Sequence, residues 1–344
     1  MNLLKIMETS MESYIVILIA VFIFIIGTVI GSFLNVVALR GLTGESIILP
    51  PSKCPHCHNK LKPWHNIPIL SYLFLGGKCA FCKEKISVQY PIVELLTGIL
   101  LIATLLKFSL SITAGFIFIA LCTLLVMSVT DIREKVICAG HAWFLIIMGL
   151  LYNGILSWNA VNTSLNTKGY FLFTAKNFLH LPITNAIIGL IAGVLIMEIL
   201  ARLGYLFAGK RAFGVGDTYI AAGLGVFFGW HNLLIIIPIS IAVQLAFVLP
   251  GFLKKLAAKG DNKTIISLIL FLLAAGAFSV CNYSLGLFEN IWVLLAASAI
   301  LFILGLYTCI RIIKGIKEGG DLSVFPFGPA MAIATLILLF LILK

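Results

Sequence analysis

The chain has 344 residues, of which 61% are hydrophobic and 11% charged, with a mean hydropathy of +1.13 and a formal net charge of +11. A soluble domain carries about 25% charged residues, so a soluble enzyme, a disordered tail and a nucleic-acid-binding domain are excluded. In a chain this apolar the positive charge is read first as membrane topology.

A membrane span needs about 20 apolar residues. In chain order the candidates are Tyr14–Leu39, Pro91–Leu106, Ile112–Val129, Ala142–Leu156, Ile183–Phe207, Tyr219–Trp230, Leu233–Leu253, Ile265–Cys281, Ile291–Ile310 and Phe327–Leu343. The fold class is therefore all-α and polytopic, with about ten transmembrane helices. Residues 1–39 form a first anchor. It is too long for a signal-peptide core and is followed by Asn35-Val36-Val37 rather than a small-residue cleavage site. Placing residues 40–90 in the cytoplasm and alternating from there puts nineteen of the 24 basic residues on the inner side. The same alternation puts Asp131, Asp217, Asp261 and Asp321, the only four aspartates, on that side. The Asn-rich stretch 157–180 reads as an external loop.

The loop 40–90 holds Cys54-Pro55-His56-Cys57 and Cys79-Ala80-Phe81-Cys82. Two C-x-x-C turns separated by 21 residues can close a tetrahedral thiolate site. The loop is too small and polar to bury much core, so zinc would supply folding free energy directly. A disulfide would need the oxidising side of the membrane. A redox C-x-x-C usually follows a βαβ pattern, and none is visible here. Cys54, Cys57, Cys79 and Cys82 are thus predicted to hold a structural Zn2+. Four thiolates leave no open position for a substrate.

Asp131 ends an apolar segment, and Asp217 follows Gly214-Val215-Gly216 just before another. Singly, each reads as a helix-end charge, and Asp217 also as an N-cap. As a pair they read differently. Two carboxylates in one partly desolvated site share a proton, so that one can activate water while the other donates to a carbonyl oxygen. Gly214 and Gly216 permit close approach to an extended substrate. Two readings stand for Glu94, within Tyr90–Gly98: lining of the same cavity, or pairing with a basic residue. Glu198 is expected to pair with a neighbouring Lys or Arg, and Asp261 and Asp321 to be solvated.

Several motifs occur together and in order: Gly31-Ser32-Phe33-Leu34-Asn35-Val36-Val37, the paired cysteine turns, YPIVELLTG from Tyr90, Asp131-Ile132-Arg133, Gly214-Val215-Gly216-Asp217 and Pro326-Phe327-Gly328-Pro329. In them the chain resembles the type IV prepilin peptidases, the bifunctional leader peptidase/N-methyltransferase branch of the G-x-G-D membrane aspartic proteases. The resemblance implies Asp131 and Asp217 as the catalytic pair and type IV prepilins or pseudopilins with a short basic leader as substrates. It implies cleavage at the cytoplasmic face of the inner membrane, then N-methylation from S-adenosylmethionine. Gly31, Asn35 and Glu94 are the candidates for the methyltransferase site or its cavity. The family number of eight spans makes residues 254–310 an inserted helical hairpin within a membrane peptidase domain, 91–344. The chain departs from the family at Tyr219, where Lys is usual, and at Ile137-Cys138-Ala139. Rival readings are a peptidase without methyl transfer, and a transporter or scaffold bearing a zinc ribbon. The partners expected are pilin precursor helices and the lipid bilayer, with no nucleic acid.

Overall fold

In lipid a backbone N–H or C=O finds no water, so an apolar run must satisfy its own hydrogen bonds, which a helix does. In the computed structural model the described residues are 3–49, 51–168, 181–208, 213–258, 260–283, 299–300, 303–305, 307–308 and 326–343. Their long helices are α1 (Leu3–Thr43), α3 (Gln89–Phe108), α4 (Ile112–Glu134), α5 (Ala139–Lys168), α6 (Pro182–Ala208), α7 (Val215–Ala258) and α8 (Asn262–Tyr283). Short α2 (Leu70–Phe74) lies in the cysteine loop, and α9 (Gly328–Ile337) runs on into a π-helical turn, Leu338–Ile342. Among the described residues six helices are long and apolar enough to cross a membrane, and two shorter apolar ones accompany them. The chain is a multi-pass membrane protein.

Nine of the ten segments read from the sequence fall on these helices; Ile291–Ile310 lies largely outside the described residues. Two segments share α7. Its apolar stretch, Val215–Gly251, would be about 55 Å long if straight, nearly twice the ~30 Å hydrocarbon core. It breaks at Gly229, where φ is 78° and ψ is 164°, a conformation open to glycine. The break frees carbonyls, and neighbouring amides take them up. Asn153 of α5 donates to Val226 O at 2.8 Å, and Asn232 donates to Phe228 O at 2.8 Å. The Asn-rich stretch differs from its reading as a loop, because α5 continues through it to Lys168. Residues 157–168 contain neither Gly nor Pro. Hydroxyls there bond back along the helix, Ser157 to Asn153 O and Thr163 to Asn159 O.

The chain divides into two compact units. The first comprises residues 1–197, 215–240 and 326–344. At its centre α4 packs against α1, α3, α5 and α9. Val126 and Val129 of α4 meet Ala38 of α1 and Val93 of α3. Elsewhere α5, α6 and α7 join through Ile146, Ala186, Ala222 and Val226. Small residues set the approach of helices, as is common where lipid gives no hydrophobic drive for association. Gly27 and Gly31, spaced G-x-x-x-G, bring α1 onto α3. A methyl at Gly31 would lie 2.7 Å from Glu94 Cα, a backbone atom. Gly31→Ala should therefore cost about 1–3 kcal/mol through overpacking. Gly115→Ala, with nothing within 4 Å, should be neutral or slightly stabilising through helix propensity. Thermal melts of the purified protein read the difference.

The second unit comprises residues 198–214 and 241–325. Asp261 caps α8 by accepting from Thr264 N and Thr264 Oγ1. It is therefore a helix cap, not merely a solvated charge. Residues 303–305 and 307–308 are helical and Thr308 meets α8, where its Oγ1 donates to Ser267 O at 3.3 Å. Glu198 pairs with Arg202 at 3.1 Å, one helical turn away, as expected.

Candidate functional site

The cysteine loop holds two copies of one turn. Lys53 and Lys60 form an antiparallel bridge, as do Lys78 and Lys85. Inside each, the first cysteine N–H bonds the residue five further on (Cys54 N to Asn59 O, Cys79 N to Glu84 O). The residue after each second cysteine takes a positive φ, His58 at 57° and Lys83 at 61°. No repeat is visible in the sequence because only the cysteines and flanking lysines recur. The two turns bring the Sγ atoms of Cys54, Cys57, Cys79 and Cys82 within 4.8 Å of one another.

The geometry suits zinc. Zn–S bonds of about 2.3 Å in a tetrahedron set sulfurs about 3.8 Å apart, and Cys54 Sγ lies 3.8 Å from Cys82 Sγ. The electrostatics agree. Backbone N–H groups of Cys82 and Phe81 hold the Cys79 thiol down at about 6. The Glu84 N–H favours the Cys82 thiolate, but burial and the sulfurs of Cys79, Cys57 and Cys54 outweigh it and push that thiol up to about 11. Four crowded sulfurs cannot all ionise without a cation among them. Bound zinc would fix the loop's fold.

Glu94 projects from α3 toward this loop. It is buried, and its Oε2 accepts the Ile69 N–H at 2.7 Å. The Ser32 hydroxyl of α1 lies near it. Neither group is basic. One turn further along α1 from Gly31, Asn35 is 1% exposed. Its amide donates to Gly31 O and Tyr90 O and accepts from Gln89 Nε2. Gln89 Oε1 in turn accepts from Arg133 Nε at 2.7 Å, tying α1 and α3 to the end of α4. Sequence reading did not single out Ile69, Gln89 or Arg133 for these contacts, which join residues far apart in the chain.

Asp131 stands in the last turn of α4, which stops at Lys135 in the left-handed conformation (φ 54°). It is 5% exposed, and its Oδ2 accepts the Gly328 N–H at 2.7 Å. That donor belongs to the first residue of α9, whose N-terminus has no side-chain cap from Phe327. Asp131 thus serves an otherwise orphaned helix-start amide. A methyl at Gly328 would lie 2.8 Å from Asp131 Oδ2. The only advance sign of this contact was Pro326-Phe327-Gly328-Pro329.

Asp217 stands in the first turn of α7 and is 9% exposed. Just before it, Gly216 is packed on Ile137; a methyl there would come within 2.9 Å of the isoleucine side chain. The segment leaving Asp131 therefore lies against the turn that carries Asp217. A Trp143–Tyr219 ring contact at 6.5 Å joins α5 to α7 close by. Gly214 falls in the second unit.

These features define a polytopic helical membrane protein with a four-cysteine cluster in one loop and two buried carboxylates at helix ends. Residues 25–108 match the bacterial peptidase A24 N-terminal domain, and residues 116–249 match the type IV leader peptidase family. Among curated proteins, a prepilin leader peptidase/N-methyltransferase of Pectobacterium carotovorum is 31% identical over 259 residues, covering 68% of this chain and 85% of that one. One from Pseudomonas aeruginosa is 31% identical over 243 residues (64% and 75%), and one from Myxococcus xanthus 32% over 227 (66% and 61%). The chain belongs to the type IV leader peptidase family. No solved structure matches it significantly.

Proposed function

We propose that the protein is an aspartic endopeptidase that removes the basic leader of type IV prepilins or pseudopilins at the cytoplasmic face of the inner membrane. The carrying observation is the burial of Asp131 and Asp217 at helix ends joined by the Ile137–Gly216 contact. One carboxylate takes a proton from water, whose oxygen attacks the scissile carbonyl carbon. The other gives its proton to the carbonyl oxygen. Collapse of the tetrahedral intermediate breaks the C–N bond, and the leaving amine takes up a proton. A pilin precursor is an apolar helix with a basic end held inside by the same rule that sorts this chain's loops. The substrate helix is recognised by packing within the membrane. The family match ends at residue 249, which supports residues 254–310 as an insertion.

The relatives' names support a second activity, N-methylation of the new terminus from S-adenosylmethionine. Gly31, Asn35 and Glu94 do not fit a cradle for that cofactor. The glycine is packed on Glu94 Cα, and the two polar side chains are engaged by protein groups. Methyl transfer is therefore supported by the relatives' names alone.

Co-expression with a prepilin tests both activities. Mass spectrometry of the product should find the mature N-terminus, carrying an added methyl if the chain is bifunctional. An uncut leader in the presence of inserted protein would refute the peptidase. Gly328→Ala should lower kcat about 10- to 100-fold with KM little changed. The added methyl displaces Asp131 Oδ2 from a hydrogen bond to a charged group, worth about 1.5–3 kcal/mol.

A further inference from the structure

The cysteine loop carries apolar side chains that neither the sulfur cluster nor the long helices cover. In α2, Leu70, Leu73 and Phe74 stand at i, i+3 and i+4 and so share one face. They are 51%, 65% and 86% exposed. Trp64 and Ile67, just upstream, are exposed as well.

The height of this face is fixed. Ile69, the residue before α2, donates its N–H to Glu94 Oε2 at 2.7 Å. Glu94 lies five residues into α3, whose first residue, Gln89, also opens a candidate span. At 1.5 Å per residue the tether sits about 7 Å beyond the start of that span. It is kept even though Ile69 takes φ 61°, a region costly for a β-branched residue. The start of α2 is therefore held level with the first turns of a membrane helix, while its apolar face points away from protein. At that depth an uncovered face meets lipid. The charge around it agrees: residues 46–88 hold six lysines, Lys53, Lys60, Lys62, Lys78, Lys83 and Lys85, and one carboxylate, Glu84.

We propose that α2, with Trp64 and Ile67, is an interfacial anchor that seats the cysteine loop in the headgroup–acyl boundary of an anionic bilayer. The apolar face enters the boundary, and the lysines meet lipid phosphates. The Ile69–Glu94 bond sets the depth.

The test uses the full-length protein in liposomes. Phe74 is replaced by p-benzoylphenylalanine, with Lys60 replaced in the same way as the comparison. After irradiation, intact mass should show a lipid adduct at position 74 at least fivefold more abundant than at position 60. Its yield should rise with the fraction of phosphatidylglycerol. A predominant adduct to a second copy or another protein, or no adduct, overturns the proposal. Hydrogen exchange of residues 67–76 in the unaltered protein gives an independent reading. Exchange should be at least threefold slower in phosphatidylglycerol nanodiscs than in phosphatidylcholine nanodiscs, and equal rates also overturn it.

Discussion

Asp131→Asn and Asp217→Asn should each abolish leader cleavage while the protein still inserts in the membrane. Asparagine keeps the shape of aspartate, so α4 and α7 retain their ends. It can neither accept the proton of the attacking water nor donate an acid proton to the carbonyl oxygen. A single acid–base group contributes about 10²- to 10⁴-fold. Two groups that act as a unit do not add, so either substitution alone should approach the loss of both. Asp261→Asn is the control. It removes only the charge of the cap on α8 in the second unit, since asparagine caps as well as aspartate, and should leave cleavage intact. Cleavage above about 1% of wild type in either catalytic variant, at equal membrane content, would sink the two-aspartate mechanism.

Removal of zinc should unfold the cysteine loop and spare the helical core. Structural zinc contributes about 10–16 kcal/mol of apparent free energy in small metal-folded units, and this loop has little buried apolar surface to replace it. Chelation, or Cys79→Ser, should open residues 53–86 to limited proteolysis while α4 stays protected. An unchanged digestion pattern after metal content has fallen would argue against the metal. The pH dependence has a defined sign. Without metal the Cys82 thiol keeps its proton up to about 11, whereas zinc requires the thiolate. The zinc-bound form therefore holds fewer protons, so acidification releases the metal and alkalinity favours it. Zinc binding at pH 7.5 should release at least the Cys82 proton, measurable with a pH indicator in weak buffer.

Some features were legible because they are local. Each cysteine pair sits in one tight turn, so C-x-x-C spacing alone predicts the knuckle. Each span is an apolar run, and the Glu198–Arg202 pair is one helical turn. The Asn-rich stretch misled because polarity suggests a loop, whereas uninterrupted helix propensity and back-bonding hydroxyls carry α5 to Lys168. The break in α7 needed Gly229, which sequence shows, and Asn153, whose role it hides.

The sequence by itself determined the solvent this protein folds in, the rough extent of the apolar segments that fall on the described helices, the four clustered cysteines and the scarce acids, since each depends on composition or on residues a few positions apart. Tertiary structure decided the rest. It packed Gly31 against Glu94, hung the cysteine loop from that carboxylate through Ile69, and set the Gly328 amide on Asp131 across nearly two hundred residues. Such contacts follow from helices meeting at small residues and from buried polar groups that must find a partner in the fold, because lipid offers none.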